Sequence, residues 1–258
     1  MDVLATIMAE RRAAVSTARA AVPEARLVSA AESRVHHSLA DRLRARTGTA
    51  IIAEVKKASP SAGLLRAEYA PATIAARYAE VGAIGISVLT EPNYFQGSGA
   101  DLRRVRAAVD VPVLRKDFIC DPYQILEAAA WGADVILLIA AALQPQELLS
   151  LYREAVGLGL DVLAEVHNRA ELESVLPLEK ALIGVNSRNL KTLRTDLRIA
   201  RELVCHIPAA RLRIAESGIK TRPDIEDLQQ HGYDGFLIGE SLLRETDPAA
   251  ALRRLMCG

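Results

Sequence analysis

From Ala50 onward the chain repeats one unit: a short apolar segment, a polar loop, then a segment with apolar residues at helical spacing. The strand candidates are 50–56, 85–89, 112–116, 134–139, 161–165, 182–186, 213–216 and 235–238. The helical candidates between and after them are 71–81, 100–109, 122–131, 144–157, 169–176, 197–205, 222–231 and 248–256. Pro71, Pro122 and Pro248 stand at helix starts, where a missing N–H leaves no bond unmade. Eight strands alternating with eight helices, at about 26 residues per unit, is the proportion of a closed (β/α)8 TIM barrel. A doubly wound open sheet usually has fewer strands, and no GxGxxG follows the first one.

The first 48 residues are of a different kind. Leu4, Ile7 and Met8 fall at helical spacing beside polar Glu10, Arg11 and Arg12, and Leu39 and Leu43 mark another short helix. With no Pro-, Gly- or Ser-rich linker, one domain over 1–258 is expected: a helical extension over 1–48 packed on a barrel over 49–258. The last helix reaches the end of the sequence, so no fused second barrel is expected.

Composition narrows the function. Lys plus Arg and Asp plus Glu are 32 each, so no net basic field draws the chain to nucleic acid or anionic lipid. Cys120, Cys205 and Cys257 are far apart and the histidines form no HxH or HExxH, which argues against a metal centre and for a reducing compartment. His36 and His37 read as solvated helix residues. No apolar run has the ~18 residues of a membrane span, and the first residues lack the basic-then-apolar pattern of a signal peptide. The chain is expected to be cytoplasmic, without a cofactor.

The chemistry gathers at strand ends. The stretch Ile51-Ile52-Ala53-Glu54-Val55-Lys56 alternates, so Ile52, Glu54 and Lys56 share one face, with the charges at the C-terminal end. Lys116, Glu165, Asn186 and Glu216-Ser217 end other strands, and a closed barrel brings all these ends to one rim. Two lysines among three acids shift each other's proton affinities and suit acid–base work. After the last two strands, Ser217-Gly218-Ile219 and Gly239-Glu240-Ser241 offer backbone N–H groups for a phosphate, provided the Glu240 side chain points away from it. The rim also fits a Schiff-base aldolase working through Lys56 or Lys116, or a barrel that only binds ligands. Trp131 reads as outer packing and Cys120 as a small apolar residue.

The segments 52–61, 95–98, 113–119, 184–190 and 214–219 resemble, in order, those of indole-3-glycerol-phosphate synthase of tryptophan biosynthesis. The resemblance covers nearly the whole chain. It implies conversion of an anionic sugar phosphate, 1-(2-carboxyphenylamino)-1-deoxyribulose 5-phosphate, into indole-3-glycerol phosphate with loss of carbon dioxide and water, without metal or organic cofactor. It further implies Lys116 as the acid for ring closure, Lys56 as carboxylate holder or dehydration acid, and Glu165 as partner acid or base. Glu54 would position Lys56 or act as base, Asn186 would bind the reacting hydroxyl, and Glu216 with Ser217 would complete the rim. Arg188 would bind the carboxylate or stabilise the local acids, while Ser59, Gly218, Gly239 and Ser241 would hold the phosphate. Phe95 and Phe118 would wall the aromatic ring, and residues 57–68 would form a candidate lid. A monomer or weak homo-oligomer is expected.

Overall fold

The computed structural model describes residues 3–190 and 192–257; Met1, Asp2 and Gly258, the ends of the expected domain span, lie outside them. Eight parallel strands close into a barrel: β1 (Ile51–Val55), β2 (Gly85–Leu89), β3 (Val113–Lys116), β4 (Val135–Ile139), β5 (Asp161–Val166), β6 (Leu182–Asn186), β7 (Arg213–Glu216) and β8 (Gly235–Ile238), with β8 pairing back to β1. The eight-fold repeat therefore folds as its periodicity predicts. Boundaries differ from the expected ones by a residue or two, except in the second outer helix, which ends at Arg106 rather than near Val109.

Strand alternation divides the apolar residues into two cores. Ile51, Ala53 and Val55 point outward, where the helices of the ring cover them. Ile52, Leu114, Leu137, Leu163, Leu182, Ile214 and Leu237 point inward and fill the barrel. Above this apolar filling, toward the C-terminal ends of the strands, the inward positions become Glu54, Lys116, Glu165 and Glu216. Trp131 packs outside the barrel, its ring under the guanidinium of fully buried Arg115 at 4.3 Å.

The N-terminal extension is a strap that spans both ends of the barrel. Helix α1 (Val3–Ala21) lies over the C-terminal rim, where Arg11 donates to the buried Asp117 carboxylate at 3.0 Å. Helix α2 (Glu24–Glu32) runs down beside α6 (Pro122–Ala130), with Val15, Leu27 and Tyr123 forming a small core of their own. Arg34 then donates to the carbonyls of Leu158 and Gly159, and α3 (Leu39–Arg44) inserts Leu39 and Leu43 into the inner core from below. His36 and His37 do not belong to a helix. They lie in the extended connection between α2 and α3, where the His37 backbone N–H donates to Asp134 and the His36 ring sits within 3.8 Å of Asp134 and Asp161. Serving the start of α3, Ser38 and the Ala40 N–H donate to Asp161, so strand-start carboxylates hold the connection extended rather than helical, with His36 exposed to solvent as expected.

Asp117 shows how the strap bears on the rim. Burial opposes its charge, but Arg115 and Arg11 outweigh burial and hold its carboxyl below the usual range. Arg11→Ala leaves that buried carboxylate short of a partner and is expected to cost about 1–3 kcal/mol of stability, measured by urea unfolding near pH 7. A group with a lowered acid pKa contributes stability above its unfolded pKa and loses it as pH falls, so the difference between the two proteins should shrink in acid.

Candidate active site

A cavity of about 710 Å³ opens at the C-terminal end of the barrel. Its floor is the charged inner layer, and at its centre stands Lys116. The Lys116 ammonium lies 2.9 Å from Glu216 Oε2, 3.6 Å from Glu54 Oε2 and 3.9 Å from Glu165 Oε2. Lys56 Nζ donates to the other Glu54 oxygen at 2.6 Å. Four strand ends that are distant in sequence thus bring two ammoniums and three carboxylates into one contact network.

Two glycines make room for it. A Cβ at Gly184 of β6 would collide with Glu216 Oε1, and one at Gly239 would collide with the Glu54 carboxylate. Gly239 was expected in the site as a phosphate donor, but Gly184 carries no chemistry and sequence reasoning passed over it.

The environment sets the proton affinities. For Lys116, burial works against the charge, yet Glu216, Glu54 and Glu165 outweigh it and raise its pKa. Glu54 is likewise buried, and Lys56 and Lys116 overcome burial to lower its pKa. Glu216 goes the other way. Burial, with Glu165 close by, pushes it up to about 7, and its Oε1 has no hydrogen-bond partner among the described residues.

Around this floor the remaining expected residues line the same cavity, except Glu216, which lies beneath it and reaches it through Lys116. Asn186 accepts the Arg188 N–H at 3.0 Å through its side-chain oxygen, which leaves its amide nitrogen for the cavity. Arg188 is held by Glu240 at 3.0 Å. The Glu240 carboxylate, shared with Arg244, is thereby neutralised, though it does not point away from the cavity as a phosphate site was expected to require. Ser217 and Gly218 both have positive φ, 64° and 83°, a turn that glycine makes readily and serine at a cost. Ser241 donates its hydroxyl to the Ile219 carbonyl at 3.0 Å and so ties the two glycine loops together.

The loop residues are equally constrained. Residues 58–59 and 63–64 form a small antiparallel hairpin inside the candidate lid, and the Ala58 N–H donates to Phe95 O at 3.3 Å. Ser59 is buried and accepts the Ala62 N–H. Phe95 is presented by Glu91, a buried carboxylate that accepts the N–H groups of Asn93, Tyr94 and Phe95, and its ring centre lies 6.1 Å from that of Phe118.

Two groups of residues escaped the sequence reading. Val3, Leu4 and Ile7 of α1 line the apolar side of the cavity, so the extension contributes to the site itself. His167, two residues after Glu165 and hence on its side of the strand path, has its Nε2 3.4 Å from Glu165 Oε1. The signal was there in the Glu-x-His spacing at a strand end.

Comparison with known proteins agrees with this geometry. Residues 4–255 match the family model for indole-3-glycerol phosphate synthase. The chain belongs to that family. It is 46% identical over 260 residues to the indole-3-glycerol phosphate synthase of Bordetella pertussis and 45% identical over 263 residues to that of Rhodopirellula baltica, covering 99% of each chain in both cases. Among solved structures it is similar to a thiamine phosphate pyrophosphorylase from Pyrococcus furiosus, with a TM-score of 0.60 at 15% identity over 84% of this chain and 96% of that one, a likeness of fold alone. The family's enzymes are decarboxylating lyases of tryptophan biosynthesis acting on a phosphorylated substrate, as the resemblance implied. Among the described residues no helix is long and apolar enough to cross a membrane.

The raised pKa of Glu216 has a consequence for stability. Between its ordinary 4.5 and about 7 the folded chain holds a proton the unfolded chain has released, so this group's contribution to stability falls as pH rises through that window. Glu216→Gln should therefore lose less stability than the parent between pH 5 and pH 8, as read from thermal melting across that range.

Proposed function

We propose that the cavity converts 1-(2-carboxyphenylamino)-1-deoxyribulose 5-phosphate into indole-3-glycerol phosphate, carbon dioxide and water by acid–base chemistry of its own side chains. The observation that carries the reading is Lys116: a partly buried ammonium ringed by three buried carboxylates on the floor of a cavity walled by aromatic side chains. When the ring carbon bearing the carboxylate attacks the sugar ketone, an alkoxide develops and needs a proton. Lys116 supplies it. Its carboxylate neighbours keep it charged, which favours an acid over a Schiff-base nucleophile, since the latter needs a lowered pKa.

Loss of carbon dioxide and dehydration follow. Lys56, fixed by Glu54, and Arg188, fixed by Glu240, bind the substrate carboxylate; once it has left as carbon dioxide, Lys56 protonates the hydroxyl held by Asn186 so that it departs as water, and Glu165 takes the proton removed from the substrate carbon beside it. Glu216 positions Lys116 from below. Phe95 and Phe118 receive the anthranilate ring, with Val3, Leu4 and Ile7 on its apolar side. The phosphate is bound at the Ser217-Gly218 and Gly239 loops together with Ser59, and Ser241 contributes by holding the two loops in register. The three unpaired cysteines accord with a cytoplasmic enzyme.

The test is indole formation followed by fluorescence with EDTA-treated protein. The parent should turn over unimpaired, and Lys116→Ala should melt lower and, read at a temperature where circular dichroism shows it folded, lose about 10²–10⁴-fold in kcat. A Lys116→Ala variant with normal kcat would sink this mechanism.

A further inference from the structure

Behind Glu165 lies a second acid–base unit that the reaction above does not use. His167 follows β5 with its side chain about nine-tenths buried, and its two ring nitrogens face two different carboxylates. On one side Glu171, in the first turn of α8 (Arg169–Val175), accepts from the His167 backbone N–H at 2.8 Å and meets Nδ1 at 3.0 Å. The same carboxylate is also bound by the Asn168 side chain, so it is anchored independently of the ring. On the other side Nε2 has no hydrogen-bond partner among the described residues and stands 3.4 Å from Glu165 Oε1, while the other carboxylate oxygen is the one nearest Lys116.

This arrangement orients the ring completely. Two bonds to Glu171, one from the backbone and one from Nδ1, leave the imidazole a single direction in which to aim Nε2. Resting on the reading of Glu165 as the group that takes up a proton, we propose that His167 is a positioning residue: an imidazolium, clamped by Glu171, that holds Glu165 ionised and aimed at the cavity. Its two N–H groups then serve one carboxylate each.

The charges facing the ring support this from every side. Glu165 comes from β5, Glu171 from α8 and Glu216 from β7 across the barrel; burial works against the imidazolium, but the three acids outweigh it and raise its pKa. Glu171 in turn is lowered, burial being overcome by His167. The 3.4 Å separation is loose for a hydrogen bond, and catalytic contacts commonly tighten only when substrate is bound.

The experiment is the pH profile of kcat/KM for the parent, His167→Gln, Glu171→Gln and the double variant, with thermal melting to confirm the fold. Removing a positive charge beside Glu165 raises its proton affinity, so the acid limb should move up by about one pH unit in His167→Gln, with KM for the substrate little changed. Glu171→Gln should move the limb the same way, less far, and should add nothing in the His167→Gln background. An acid limb that stays where the parent's is, or a Glu171→Gln effect that is undiminished without His167, overturns the proposal. If His167→Gln fails to fold, ¹⁵N-histidine NMR on the parent decides: both ring nitrogens of His167 protonated at pH 7 is the expected result, and a neutral ring overturns it. Glu165→Gln separates the underlying reading, because a variant with normal kcat would remove Glu165 from proton transfer whatever His167 does.

Discussion

The buried contact between Lys116 and its three carboxylates is the constraint on which the rest of this structure depends. An ammonium or a carboxylate taken out of water is costly alone, and a carboxylate cluster without a cation would repel itself apart. Each carboxylate here is tolerable only because the Lys116 ammonium is held within 4 Å of it. Holding four side chains from β1, β3, β5 and β7 at those distances requires a closed, rigid frame. The barrel, filled below by Ile52, Leu114, Leu163, Leu182 and Ile214, is that frame.

The balance within the cluster is uneven, and the unevenness is what gives it chemistry. Three carboxylates face two lysines, so one acid is in excess. Burial and proximity to Glu165 fall on Glu216 and push it up to about 7. Lys116 keeps its proton under the same field and delivers it only when a stronger base, a developing alkoxide, is formed beside it. Glu165 is steadied from two directions, by Lys116 in front and His167 behind.

The extension has a role that its position at the start of the chain conceals. It crosses the mouth of the barrel, descends the outside and closes the bottom, so apolar residues of one segment serve the cavity at one end and the inner core at the other. Arg11 reaches Asp117, the residue next to Lys116, and Asp117 is also gripped by Arg115 and Thr90. A displacement of α1 is thus felt directly at the end of the strand that carries the central lysine. The glycines have a comparable hidden role: Gly184 contributes an absence of atoms, and Glu216 occupies the space.

What the sequence by itself determined follows from periodicity and chain order. Alternation in β1 assigns Ile52 and Glu54 to the interior, eight strand–helix units imply closure, and residues at strand ends in such a barrel share one rim. Lys56, Lys116, Glu165, Asn186 and Ser217 were legible for that reason, and the order of motifs made the family legible as well. Only the tertiary structure decided which acid touches which base, because contacts between residues 100 positions apart depend on the register and tilt of strands that no local pattern records. The connection bearing His36 and His37 was misread on the same ground: Asp134 and Asp161, far along the chain, hold it extended where local composition suggested a helix. The lining by Val3, Leu4 and Ile7, the space left by Gly184 and the aim of His167 at Glu165 likewise belong to packing. Each is a fact about distance across the fold, set when the strap and the barrel come together.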